Sequence, residues 1–230
     1  MADSGSLTFD RADWHAQVDE EVVDPNLEII DPHHHLWQIP GADYLLENLW
    51  ADTGSGHRVV KTVFVECHAS YRDYGPDHLR PVGETEFVAG LAADSNEGPG
   101  ARIAGIVAYA DLRLGDRLPE VLDAHVETGR GLFRGIRHAL SHATHPEVLA
   151  FPGGAPAGLS SDEAFRDGVR MLGRLGHTYE SWHYHEQMPD FIDLARSAPD
   201  TTLILDHFGT PLGVGPWATQ REEIFEQWKV

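Results

Sequence analysis

Cysteine and lysine are nearly absent from this chain, and each scarcity excludes something. The single cysteine, Cys67, rules out an internal disulfide, agrees with a reducing compartment, and reads as a packed strand residue rather than a nucleophile. Every basic residue except Lys61 and Lys229 is arginine, so guanidinium groups would do any carboxylate binding. Basic charge as a whole is scarce: 17 Lys and Arg face 37 Asp and Glu, a formal net charge of −20. That balance leaves no basic patch for nucleic acid and disfavours anionic membrane surfaces. Long hydrophobic runs are missing too. No stretch reaches the roughly 18 apolar residues of a spanning helix, and the start "MADSGSLTFD" lacks the basic and apolar regions of a signal peptide. A cytoplasmic location is expected, with the acidity serving solubility or salt adaptation.

What is there fits one globular α/β domain. The 230 residues are 41% hydrophobic and 23% charged, enough for a sizeable core. Short β-branched runs, "NLEII" 26–30, "VVKTVFVEC" 59–67, "IAGIVAYAD" 103–111, "FRGIRHAL" 133–140, "TYESWHY" 178–184 and "TTLILDHFG" 201–209, are the strand candidates. Helical patterns fall between them at 83–94, at 117–128 with Leu118, Val121, Leu122 and His125 on one face, at 162–176, at 188–199 and from 221 onward. Ser160 and Glu163 are spaced as a capping box before the third of these, and Gly176 is its stop. Alternation of strand and helix implies βαβ units and a parallel sheet. The expected division is an N-terminal extension over 1–26 and a single domain over 27–230.

In parallel α/β folds the chemistry gathers at the C-terminal ends of the strands. Read in that way, the ends carry His33 and His35, Glu66 and His68, Asp111, then Arg134, Arg137 and His138, then Tyr184 and His185, and finally Asp206 and His207. One polar residue after a strand is ordinarily a helix cap or a solvated loop group, but caps do not explain imidazoles at most of these ends. The stretch "IDPHHHLW" is the densest. Strand side chains alternate, so His33 and His35 share a face and His34 takes the other. Two imidazoles on one face make a chelating pair, or a general acid and base near neutral pH.

The segments "DPHHHLW", "VFVECHASYRDYGPDHLRPVGETEFVAGLA", "FRGIRHAL", "YHEQMPDFIDLAR" and "PDTTLILDHFGTPLG" together resemble the amidohydrolase-related TIM-barrel hydrolases. The resemblance runs from about residue 27 to the end and is closer to the lactonase branch that includes L-fuconolactonase and pyrone dicarboxylate lactonase. It implies a (β/α)8 TIM-barrel fold, hydrolysis of a cyclic ester or related carbonyl compound, and a small-molecule substrate as partner; the polar strand ends narrow that substrate to a small sugar-type or carboxylated lactone. Its D-x-H-x-H element falls on Asp31, His33 and His35, and its strand-six histidine on His207. Relatives often carry glutamine where this chain has His68.

His33, His35 and His207 are therefore the expected catalytic residues. They would act as ligands of one divalent metal ion, zinc first, or as hydrogen-bond donors in a metal-independent mechanism. Glu66, His68, Arg137, His138, Tyr184 and His185 are the expected substrate contacts, with Arg137, or Arg134 in reserve, as the carboxylate fork. The alternatives are a metal-dependent decarboxylase of the same superfamily and a noncatalytic ligand-binding fragment. The resemblance also implies a water-activating aspartate from strand eight, whereas six strands are found. The expectation is thus an incomplete barrel of six βα units without strands seven and eight, poorly soluble or homo-oligomeric, and catalytically weak.

Overall fold

The structure is a computed structural model that describes residues 16–18 and 20–229. Residues 1–15 and 19 of the expected N-terminal extension therefore lie outside the described residues. The strands are β1 (Glu28–His34), β2 (Arg58–Val65), β3 (Arg102–Ala108), β4 (Phe133–Arg137), β5 (Thr178–Ser181) and β6 (Leu203–Leu205). They form one sheet in the order β1-β2-β3-β4-β5-β6, parallel throughout. Sequential parallel order with a helix after each strand is the winding of a β/α barrel, here a curled six-stranded half-barrel whose terminal strands are unpaired among the described residues.

The helices are α1 (Leu46–Thr53), α2 (Val82–Glu97), α3 (Leu118–Thr128), α4 (Glu163–Arg174), α5 (Met188–Ser197) and α6 (Arg221–Trp228). Five match the expected patterns; α1 lies between the first two strands, where no helix was expected. The cap of α4 is a correction. Asp162, not Ser160, accepts the Phe165 amide at 3.0 Å, because Ser160 is bound up in the 3-10 turn Leu159–Ser161. Gly176, at φ +77°, ends that helix as expected.

The helices cover the sheet through two cores. Leu112, Leu118, Leu122, Ile136, Phe165, Leu172 and Leu194 form the larger, under α3, α4 and α5. Leu36, Leu49, Phe64, Val88, Ile103 and Ile106 form the second, under α1 and α2. Phe165 is fully buried edge-on to Tyr179, and burying a side chain of that size contributes about 1.5–3 kcal/mol. α4 approaches closely because Gly168 has no side chain: a Cβ there would lie 2.1 Å from the Leu112 carbonyl oxygen. With the helices fixed in this way, the strand ends are left facing one rim. No helix among the described residues is long and apolar enough to cross a membrane.

Candidate functional site

The histidine triplet is built by a local irregularity. Pro32 has no N–H to give the ladder, and the β1–β2 register shifts between Asp31 and His34. The Asp31 carboxylate accepts the His33 amide instead, at 3.0 Å. His33 and His35 emerge on one side with their Nε2 atoms 3.3 Å apart. His34 turns away and packs edge-on against Phe64, buried. The His207 ring, after β6, comes within 4.7 Å of the His33 ring, centroid to centroid. His35 Nδ1 lies 2.7 Å from the Val65 carbonyl oxygen; since a carbonyl only accepts, Nδ1 carries the proton and Nε2 presents a lone pair. Burial first, then the neighbouring His35 and Arg137 charges, lower the His33 pKa to about 3. Burial likewise lowers that of His35, so the pair is neutral near pH 7.

Beneath this pair lies an arginine hub. Arg137 Nε donates to Glu66 Oε1 at 2.9 Å, and its NH2 group donates to the Glu66 carbonyl oxygen. NH1 lies 3.4 Å from His33 Nε2 and 3.7 Å from Asp206 Oδ2. Arg137, Glu66, Asp206 and Glu180 are all buried. Three carboxylates thus crowd one guanidinium. Glu180 responds by holding its proton: burial, and next the charge of Asp206, push its pKa up to about 8. Burial also raises that of Asp206, against the pull of Arg137.

The other expected contacts separate into two groups. His68 stays at the rim, its Nε2 3.5 Å from Glu66 Oε2 and its ring against Tyr109. Tyr184 and His185 make their contacts elsewhere, and His138 stands between the two groups, its ring edge-on to Tyr109, the aromatic against His68. His138 accepts the Leu112 amide at 3.2 Å and packs against Phe165. Tyr184 joins a small cluster with Leu212, Trp217 and Ile224, and its hydroxyl donates to the Phe151 carbonyl. His185 accepts the Leu212 amide. Arg134 donates to the carbonyls of Gly131 and Phe133. Sequence reasoning missed Glu180, although a carboxylate inside a β-branched strand is an available signal. It also missed His183, fully buried with Nδ1 2.8 Å from the Ser181 hydroxyl.

The backbone is strained in the two loops that flank the pair. His68 and Ser70 after β2, and His207, Phe208 and Thr210 after β6, all have left-handed φ, between +42° and +62°. Non-glycine residues held in that region collect at functional sites.

A family model described as Amidohydrolase matches residues 30–230, a span that takes in most of β1, the histidine pair and all that follows. The chain belongs to the amidohydrolase family. An uncharacterized protein of Sinorhizobium fredii is 32% identical to this amidohydrolase over 234 residues, covering 89% of the chain and 67% of the relative. A solved amidohydrolase from Burkholderia multivorans with bound zinc superposes with a TM-score of 0.60 at 24% identity, over 87% of this chain and 63% of that one. A probable 2-pyrone-4,6-dicarboxylic acid hydrolase from Acinetobacter baumannii with citric acid bound gives a TM-score of 0.51 at 14% identity, over 86% of this chain and 64% of that one. These solved structures share the fold, and the chain spans somewhat under two thirds of their length.

The pair fits a divalent ion. Two nitrogens each about 2.0–2.1 Å from one tetrahedral zinc stand roughly 3.3 Å apart, and the Nε2 atoms of this amidohydrolase are 3.3 Å apart. The Val65 carbonyl behind His35 is the outer partner that metal-bound imidazoles ordinarily have. Among the described residues no group of three His, Cys, Asp or Glu is already disposed around one metal position. The pair thus presents two donors at the spacing one such ion takes.

Proposed function

We propose that this chain carries the strand-end site of a lactone hydrolase acting on a small polyhydroxylated, sugar-type lactone in the cytoplasm. The observation that carries the reading is the convergence of His33 and His35, with the His207 ring tilted beside that of His33, at the C-terminal rim of the sheet. His33 and His35, joined by His207, would hold one divalent ion, which when bound polarises the ester carbonyl as a Lewis acid. The bound zinc of the Burkholderia structure supports a metal of this class.

The chain's own residues do the rest. The Val65 carbonyl fixes the tautomer of His35, and Arg137 holds Glu66 and Asp206 in place and aims His33. Arg137 was expected to bind a substrate carboxylate; with its donors bonded to Glu66 and turned to His33 and Asp206, it is poorly placed to do so. A carboxylated substrate would also meet the Glu66 and Asp206 carboxylates beside a protonated Glu180, and among the described residues no buried Lys or Arg beyond Arg137 compensates, which favours a neutral lactone. Hydroxyl groups of a sugar lactone suit the carboxylate and imidazole edges of Glu66 and His68. Water activation belongs to the eighth-strand aspartate that the resemblance implies, an element not among the six strands described.

The test is a panel of sugar, carboxylated and aryl lactones with and without chelator, run on this chain and on a version extended to the length of its relatives. Hydrolysis of sugar lactones, lost to chelator and restored by zinc, is the expected result. Activity confined to aryl or long-chain esters, or release of carbon dioxide, would overturn it.

A further inference from the structure

We propose that Glu84 is a positioning residue whose buried carboxylate clamps the backbone on both sides of His68 and so presents the His68 imidazole at the rim as a contact for a substrate hydroxyl. The substrate part of this statement rests on the lactone site proposed above.

Glu84 sits in the first turn of α2, where a glutamate ordinarily serves its own helix. This one reaches across to the β2 loop. Its Oε1 accepts the amides of Cys67, at 3.1 Å, and Ala69, at 2.7 Å, while the side chain is almost fully buried. Between those two amides lies His68, at φ +62°. A non-glycine residue in that region costs of order 1–3 kcal/mol and persists only where its surroundings over-determine it. The clamp supplies that constraint. His68 itself is exposed, its Nδ1 3.0 Å from the Tyr71 hydroxyl and its Nε2 3.5 Å from Glu66 Oε2.

The residues on either side of Glu84 serve the same rim. At Gly83 a Cβ would stand 2.6 Å from the Ser70 carbonyl oxygen and 2.7 Å from the Arg72 amide, so only glycine lets the loop lie this close to α2. Thr85 Oγ1 lies 2.8 Å from His125 Nδ1, and His125 Nε2 donates to the Tyr109 carbonyl at 3.1 Å. Tyr109 supports the His68 ring and also lines a pocket of about 490 Å³ with Asp111, His78 and Arg117. The "GET" of "PVGETEF" thus sets the loop, the imidazole and the aromatic behind it, although none of the three is itself placed at the histidine pair.

The test combines kinetics on the best lactone of the panel with crystal structures. Glu84→Met and Glu84→Asp should raise KM about tenfold with kcat within about twofold, matching His68→Ala. Glu84→Gln keeps an acceptor oxygen at the same reach and should recover most of that affinity. Combining Glu84→Met with His68→Ala should add nothing to His68→Ala alone, because Glu84 acts through His68. In crystals, residue 68 should remain left-handed in Glu84→Gln and leave that region in Glu84→Asp, the variant to rely on if Glu84→Met does not fold. Additive losses in the double variant, or a left-handed residue 68 in Glu84→Asp, would overturn the clamp. Should neither the parent nor its extended version hydrolyse any lactone, the proposed function fails, and the backbone at residue 68 still decides the clamp.

Discussion

Neighbouring residues in this chain have unlike roles, and the triplet at 33–35 shows it most directly. His33 and His35 face each other at 3.3 Å, whereas His34 is packed against Phe64. Replacing His33 or His35 by alanine should remove zinc binding and lactone turnover while the far-ultraviolet circular dichroism stays unchanged. Replacing His34 by alanine should leave turnover within a few-fold and instead cost about 1–3 kcal/mol in denaturant unfolding, the range for emptying a buried site. Arg137 is structural in the same measurable sense. Arg137→Met strands the Glu66 carboxylate in the interior, and breaking a buried pair from one side costs roughly 3–5 kcal/mol. Adding Glu66→Gln to that variant should return part of the loss, so the two substitutions should be strongly non-additive in a double-mutant cycle.

At the scale of elements, the close approach of α4 to the β3–α3 loop gives a sharp expectation. Gly168→Ala should gain about 1 kcal/mol of helix propensity, yet the new Cβ meets a backbone carbonyl, Leu112 O, that cannot move cheaply. A net destabilisation of about 1–3 kcal/mol is expected from overpacking, read from the urea midpoint. The elements themselves were legible where a period was long enough to read. α3 and α4 show their buried stripes in sequence, and alternation alone assigned the faces of His33, His34 and His35. α1 was missed because it is eight residues long and starts after Leu45, which offers no side-chain cap. The cap of α4 was misread because Ser160 and Asp162 are both good cap residues and only the 3-10 turn decides between them. Glu180 stood out only as a carboxylate inside a strand, and the roles of Glu180 and Glu84 come from Asp206 and from the amides of Cys67 and Ala69, which are remote in sequence.

For the whole molecule, the buried titratable groups oppose one another across neutrality. Burial lowers the pKa values of His34, His125, His138 and His183 to about 4 from an ordinary 6.5, so the unfolded chain binds more protons between those values and stability falls as pH drops through that window. Glu84 and Glu180 are raised from 4.5 to about 7 and about 8, so the folded state binds more protons there and stability falls as pH rises toward 8. Histidines outnumber the two carboxylates below pH 6.5. The melting temperature should therefore peak near pH 6.5 and decline on both sides, which a scanning-calorimetry series checks. The edges of β1 and β6, unpaired among the described residues and with Leu27, Ile30, Ile204 and Phe208 exposed near them, are templates for association. The charge of −20 resists it, so this 230-residue polypeptide should sediment as larger species as salt is raised and the repulsion is screened.

The arginine hub also fixes an order of events in the making of the protein. Each strand pairs with the next one in the chain, so the sheet can grow unit by unit as the polypeptide emerges from synthesis. Arg137 breaks that locality, reaching back 71 residues to Glu66 and 104 to His33. Until β4 arrives, a nascent chain of three strands lacks the guanidinium that pairs with Glu66 and has only the exposed His68 imidazole beside that carboxylate, with the end of β2 loose and His33 unaimed. The fourth strand is thus the step at which a growing sheet first ties the end of β2 to the histidine pair.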